Sequence, residues 1–303
     1  MQKRGQITVF IIIGIVMIIV LGIFLYLSGY STKAQTSVNI KEAVNPSDTN
    51  IVKTYAESCL KLVSDDALFN RIGLQGGYIN PDSTTTYGEP GVGFPLPSSF
   101  QGKKVPYYLT GEGVAPSLTY SAFVPDLELV KKKFENYILV EFEKCFSKNT
   151  FKDIGLEVEK PHVDYQSLNF DLSGTSVNIS AEFNKNDVYV NLNYPIVIKR
   201  GPARTSVESF NIMLPIGFKV LYESAAALVN NTKKVQPNAY DISTDCSLYD
   251  KNGFTNVYLK ESDSGSKEIV QFVDFSTYYK NYLNAYIFQF AVKNVNIKGS
   301  CTG

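Results

Sequence analysis

Residues 6–27 read QITVFIIIGIVMIIVLGIFLYL, and this stretch decides how the chain is organised. It holds no charged residue and no proline. As a helix rising about 1.5 Å per residue it spans roughly 30 Å, the thickness of the hydrocarbon core of a bilayer. Ile, Val, Leu and Phe cover every side of it, so it does not fit an amphipathic surface helix. Lys3 and Arg4 stand just before it. The positive-inside rule keeps them in the cytoplasm and sends everything after Leu27 outside. The apolar run is longer than the core of a secretory signal peptide, and no small-x-small cleavage site follows it. A retained anchor is therefore expected at residues 6–29.

The remaining chain is long enough for one large or two small domains. Apolar residues make up 44% and charged residues 19%, which places it with folded rather than disordered chains. Lys plus Arg and Asp plus Glu both number 29, so no charge excess favours nucleic acid or another polyanion as a partner. The 20 Tyr and 19 Phe, with many Asn, Ser and Thr and no Trp, fit a β-rich surface protein. Cys59, Cys145, Cys246 and Cys301 are even in number, which in an external compartment reads as two disulfides with three possible connectivities.

The expected class is α+β: a long N-terminal hydrophobic helix, then a β-rich extracellular head with two or three packed helices. Residues 30–48 are a polar connector in which Pro46 argues against a continuous helix. Either the first helix stops near Gly29 and a flexible stalk follows, or residues 34–44 form a short second piece. Residues 49–152 are helical and loop-rich. Ser47 or Asp48 can cap a helix that begins near Ile51 and runs to Phe69 or Asn70, ended by Gly73, Gly76 and Gly77. Residues 80–125 carry proline and glycine punctuation, with one short extended segment in KVPYYLT. Asp126 opens a second helix to Phe146 with Leu127, Val130, Phe134, Tyr137, Ile138, Phe142 and Cys145 on one stripe. Cys59 and Cys145 both lie on apolar helix faces, so they are expected to join those two helices.

Residues 153–303 switch to period-two alternation. LEVEKPHVDY, TSVNISAEF, DVYVNLNYPIVIKR and TSVESFNIML read as strands, with a hairpin turn at residues 184–187. A helix is expected over residues 215–230, with Pro215 in its first turn. TNVYLKES and KEIVQFVDF form a second hairpin, and AYIFQFAVKNVNI is the last long strand. Cys301 at the tail can return to Cys246, and that pairing is expected to lock the C-terminus to the sheet.

The search for chemistry returns little. His162 is the only histidine and sits in KPHVDY, where a structural or solvated side chain is expected. No GxSxG surrounds a serine, and no CxxC spacing points to zinc or haem. The paired glycines of LQGGY lack the lysine and serine of a phosphate loop. DKNGFTNVYLKE has the outline of a calcium loop, but Leu248 takes the first ligand position and Leu259 the last. Glu141 and Glu143 point different ways on their helix, which makes them a poor acid–base pair. No catalytic residue, cofactor or metal is expected. Asn178 and Asn230 head N-x-S/T sequons and are candidate glycan acceptors outside the cell.

The run Lys3-Arg4-Gly5-Gln6, abutting the apolar stretch, resembles the class III signal peptide of archaeal type IV pilins and archaellins. The likeness covers about the first 27 residues. It implies that residues 1–5 are a leader, removed by a membrane prepilin-type peptidase between Gly5 and Gln6, and that the helix stays on the mature chain. Bacterial members carry a glutamate at the fifth mature position, where this chain has Phe10. KRGQITVFIIIG, ESCL and LQGGYI together also resemble a group of archaeal signal-anchored surface proteins that brings no assigned chemistry. The resemblance implies a structural subunit of an extracellular filament, a helical homo-oligomer that draws its helices from the membrane. The alternative is a single-pass ectodomain (an adhesin, receptor or envelope component) that does not polymerise.

Overall fold

The computed structural model describes residues 46–79, 98–112, 119–148, 151–161, 177–234, 240–244, 246, 255–261, 269–280 and 284–301. The leader, the apolar run, most of the polar connector and His162 lie outside them. Residues 43–303 form one compact unit. It is α+β, as the sequence predicts.

Helix α1 spans Pro46–Asp66. It starts five residues before the expected Ile51. Pro46 explains the difference, because its missing N–H and preset φ suit the first helical position. Asp48 thus falls in the first turn and does not cap. Its carboxylate, 5% exposed, instead meets Arg200. Arg200 Nη2 donates to Oδ1 at 2.9 Å, while Nε stands 2.9 Å from Oδ2 as an ion contact without hydrogen-bond alignment. The last three residues assigned to the polar connector are therefore helical.

The helix does not end cleanly at Phe69 or Asn70. It widens into a π-helical turn, Ala67–Gly73, before the turn at residues 74–77. Gly73 is needed there. A Cβ on it would stand 2.6 Å from the Ile287 carbonyl and 2.7 Å from that of Leu68. Gly76 and Gly77 follow with φ of +54° and +75°, a region open to glycine at little cost.

Helix α2, Leu127–Phe146, begins as expected. Asp126 caps it by accepting from the N–H groups of Glu128 and Leu129. Helix α3 is Phe218–Lys234, not 215–230. Pro215 holds Leu214 in extended backbone, so the strand before it runs up to the proline. Gly217 then accepts the first helical bond, from Leu221.

The described strands are β1 (Ser98–Phe100), β2 (Lys103–Val105), β3 (Tyr107–Glu112), β4 (Thr119–Ala122), β5 (Glu157–Glu159), β6 (Asn178–Phe183), β7 (Val188–Arg200), β8 (Ala203–Leu214), β9 (Tyr240–Asp241), β10 (Thr255–Lys260), β11 (Ile269–Asp274), β12 (Tyr286–Lys293) and β13 (Ile297–Lys298). Strand β7 organises one sheet. β8 runs antiparallel along one edge; β6 pairs with the first half of the other edge and β5 with the second. The register shifts between Asn193 and Ile196, around Pro195, which has no N–H to give to a ladder. The hairpin turn closes through Asn184 N–H to the Asp187 carbonyl at 2.9 Å.

The second sheet runs β10-β11-β12-β3-β4. Every residue of β11 is buried, and β12 is buried nearly throughout, so IVQFVD and YIFQFAV show no wet-and-dry alternation, and their Gln271 and Gln289 are buried with the apolar side chains. β3 joins β12 in parallel. The stretch expected to be mostly loop, 80–125, thus supplies β1 to β4, and residues 49–152 and 153–303 interleave in one sheet.

Helices α1 and α2 pack on the inner side of the β7 sheet, while α3 and the π-turn lie against the β12 sheet. Phe218 links the sheets: its ring is 4.7 Å from Phe183 on β6 and 5.8 Å from Phe288 on β12. Disulfides join Cys59 to Cys145 and Cys246 to Cys301, with Cα–Cα distances of 5.8 and 5.6 Å. These are the pairings put forward from the sequence. The first ties α1 to α2. The second holds the tail against β10, where Val257 and Cys301 exchange backbone hydrogen bonds at 3.1 and 3.2 Å.

Candidate functional site

Three polar clusters stand out from the apolar packing. The first sits where α1 widens. Tyr137 on α2 donates to Asp66 Oδ2 at 2.5 Å, and Asn70 Nδ2 donates to Oδ1 at 2.9 Å. Arg71 Nε lies 3.4 Å from Oδ2, with its guanidinium 5.5 Å from the centre of the Tyr137 ring. Burial pushes the Asp66 carboxyl up, but the hydrogen bonds from Tyr137 and Asn70 and the Arg71 charge outweigh it and hold it below the ordinary value. Burial, together with the bond to Asp66, pushes the Tyr137 phenol up to about 12. At neutral pH that phenol is a fixed donor. The cluster is a clip between two helices. Sequence reading assigned Tyr137 to the apolar stripe and missed its partner, because Asp66 lies 71 residues away and only the packing of α1 on α2 brings the two together.

The second cluster surrounds Glu143. Lys160 Nζ and Ser147 Oγ both donate to Oε1 at 2.8 Å, and Tyr194 donates to Oε2. Burial raises this carboxyl, and the Lys160, Tyr194 and Ser147 contacts bring it below its usual value. Glu141 engages Lys144 instead, at 2.7 Å. The two glutamates serve separate contacts, as their helical spacing predicts.

The third is a buried chain of amides. Gln271 Nε2 donates to Gln289 Oε1 at 2.7 Å, and Gln289 Nε2 donates to the Leu74 carbonyl at 2.9 Å. It locks the turn after the π-helix onto the β12 sheet. Glu135 acts alone. Its Oε1 accepts the Ala181 N–H on β6 at 2.7 Å, and burial is the largest influence on it, leaving its carboxyl above the ordinary value. It occupies one donor of an edge strand, the kind of cover that discourages edge pairing.

Each cluster joins elements of the fold to one another. Among the described residues there is no group of three His, Cys, Asp or Glu side chains placed to hold a metal ion. No described helix is long and apolar enough to cross a membrane.

The chain matches no family model, no curated protein and no solved structure.

The remaining candidates are surfaces. The outer side of the β7 sheet is a grid set by register: Glu182–Tyr189–Met213, Ser180–Asn191–Asn211 and Asn178–Asn193–Ser209. Of these nine, one is charged. Tyr189 and Met213 are 37% and 64% exposed, and the Tyr189 hydroxyl donates to Asn211 Oδ1 at 3.1 Å. Asn178 lies on this face. Asn230 lies on α3, facing solvent. Gly5 and Gln6 lie outside the described residues.

Proposed function

We propose that this chain is a surface protein held by residues 6–29 and assembled through them as the structural subunit of a pilus-like filament. The observation that carries the reading is Lys3-Arg4-Gly5-Gln6 directly abutting a run apolar on every side. A helix of that kind remains buried both in a bilayer and in the core of a bundle of its own copies. The body supports an external location. Its four cysteines form two disulfides, which persist in oxidising compartments. Its polar clusters bind the fold together, as a structural subunit requires. The membrane prepilin-type peptidase would act between Gly5 and Gln6.

The test is a charge placed mid-helix, Ile15→Lys or Met17→Asp. In a bilayer this costs about 3 kcal/mol on insertion scales, which a long apolar run tolerates. In a packed core every subunit would bury the same uncompensated charge. The expected outcome is a variant that reaches the membrane and folds but yields no filaments. Filaments at normal abundance would refute the helix as their core. If wild-type cells yield only a monomeric, membrane-bound chain, the non-polymerising ectodomain stands instead.

A further inference from the structure

The two sequons, Asn178-Ile179-Ser180 and Asn230-Asn231-Thr232, are equal as sequence and opposite as structure. We infer that Asn178 is a glycan acceptor in the folded protein and that Asn230 is not.

The reaction needs two groups presented together: the acceptor amide and the hydroxyl two residues on. A strand puts i and i+2 on one face. Asn178 and Ser180 begin β6, both exposed, while Ile179 between them is 8% exposed and faces the core. β6 pairs only with β7 in the described sheet, and Asn178 is its first residue. The acceptor therefore stands at the first residue of the strand, three positions before Ala181, whose N–H Glu135 occupies, and its side chain and that of Ser180 are both open to solvent on the outer face. The residues nearest it on the grid, Ser180, Asn191, Asn193, Ser209 and Asn211, carry amides and hydroxyls, and Glu182 is the grid's one charge, so a neutral glycan displaces no ion pair there.

A helix turns about 100° per residue, so i and i+2 point roughly 200° apart. Asn230 faces solvent and Thr232 faces inward, 5% exposed. Thr232 Oγ1 donates to the Leu228 carbonyl at 2.8 Å, as a buried contact. Its hydroxyl is committed to the helix, and presenting it would require unwinding the last turns of α3.

The step is redox-neutral. Asn178 Nδ2 bonds to the anomeric carbon of a lipid-linked sugar phosphate or pyrophosphate; the C–O bond to phosphate breaks, the lipid phosphate leaves, and the amide loses one proton. The inference rests on the external location proposed above but not on polymerisation.

The test is peptide mapping of protein isolated from its native cells under non-reducing conditions. The expected result is a sugar mass increment on the Asn178 peptide, an unmodified Asn230 peptide, and a bonded Cys246–Cys301 peptide in the same digest. Asn178→Gln and Ser180→Ala should each abolish the increment; Ser180→Thr should retain it, and Asn230→Gln should change nothing. An unmodified Asn178 peptide alongside the bonded cysteines overturns the inference and leaves the external location intact. An unmodified Asn178 peptide with free thiols overturns both. A glycan on Asn230 overturns the selectivity.

Discussion

Removal of the Cys59–Cys145 disulfide, as the double substitution Cys59→Ala, Cys145→Ala, tests how the two-helix layer is held. The bond closes a loop with a sequence separation of 86. Chain-entropy reasoning gives −2.1 − 1.5R ln n for the unfolded chain, which for that loop is about 4.6 kcal/mol at 25 °C. Disulfides commonly deliver about 2–4 kcal/mol, so the expected loss lies at or above the top of that range. Alanine is the right replacement because Cys59 is 3% exposed and a serine hydroxyl there would be stranded. What remains is the packing that the bond reinforces: Tyr55 at 6.0 Å from Phe146 and 5.4 Å from Phe151, and the Tyr55 hydroxyl donating to the Cys145 carbonyl at 3.2 Å. With total stabilities of roughly 5–15 kcal/mol, the variant should fold but unfold early. The assay is urea denaturation followed by circular dichroism, since the chain has no tryptophan. The midpoint should fall and the m-value should rise, because the unlinked chain exposes more surface. A loss below about 1 kcal/mol with an unchanged m-value would refute the reasoning, for the bond would then not restrict the unfolded state.

Other perturbations test the clusters one at a time. Tyr137→Phe should cost about 1–2 kcal/mol at neutral pH by removing the bond to Asp66. The Asp66 carboxyl is depressed in the folded state, so its contribution is present above its unfolded pKa and fades as pH falls through the folded value; the mutant and wild-type stability curves should therefore converge in acid. Glu135 has the opposite sign, since a raised carboxyl stabilises most below its unfolded pKa and loses that as pH rises through the folded one; Glu135→Gln, which still accepts from Ala181, should raise the thermal midpoint at neutral pH and change nothing in acid. Gly73→Ala places a methyl 2.6 Å from a backbone oxygen and should cost about 1–3 kcal/mol in the same urea assay, with no effect on the disulfides. Arg200→Ala strands the buried Asp48 carboxylate and should destabilise more than Asp48→Asn, by thermal melts of the pair.

What the sequence made legible was what local pattern determines. The alternation in residues 178–183, 188–200 and 205–214 marks the β7 sheet, because one face of it is wet and one is dry. Asp126 announces α2 by its capping chemistry, and Cys59 and Cys145 announce their pairing through the apolar helix faces they occupy. The misses have distant causes. β3 and β4 lie in a stretch dense with proline and glycine; β3 gains a distant parallel partner in β12, with Tyr107 opposite Ala291, and β4 then pairs with β3. The π-turn ends at Gly73, where the chain passes close to the backbone of Ile287, a contact no local pattern foretells. α1 begins at Pro46 because a proline that ends a helix also starts one, and local reading weighed only the first use. At the surface the sequons were visible, whereas the difference between a strand and a helix beneath them was not.

The central claim is that the apolar N-terminal helix is a processed assembly element. The direct measurement is mass spectrometric mapping of the N-terminus on high-mass material sheared from native cells and seen as filaments by electron microscopy. The account predicts filaments containing this chain with Gln6 as the first residue. A chain that begins at Met1, or beyond Leu27, or that is found only as a membrane-bound monomer, would contradict it.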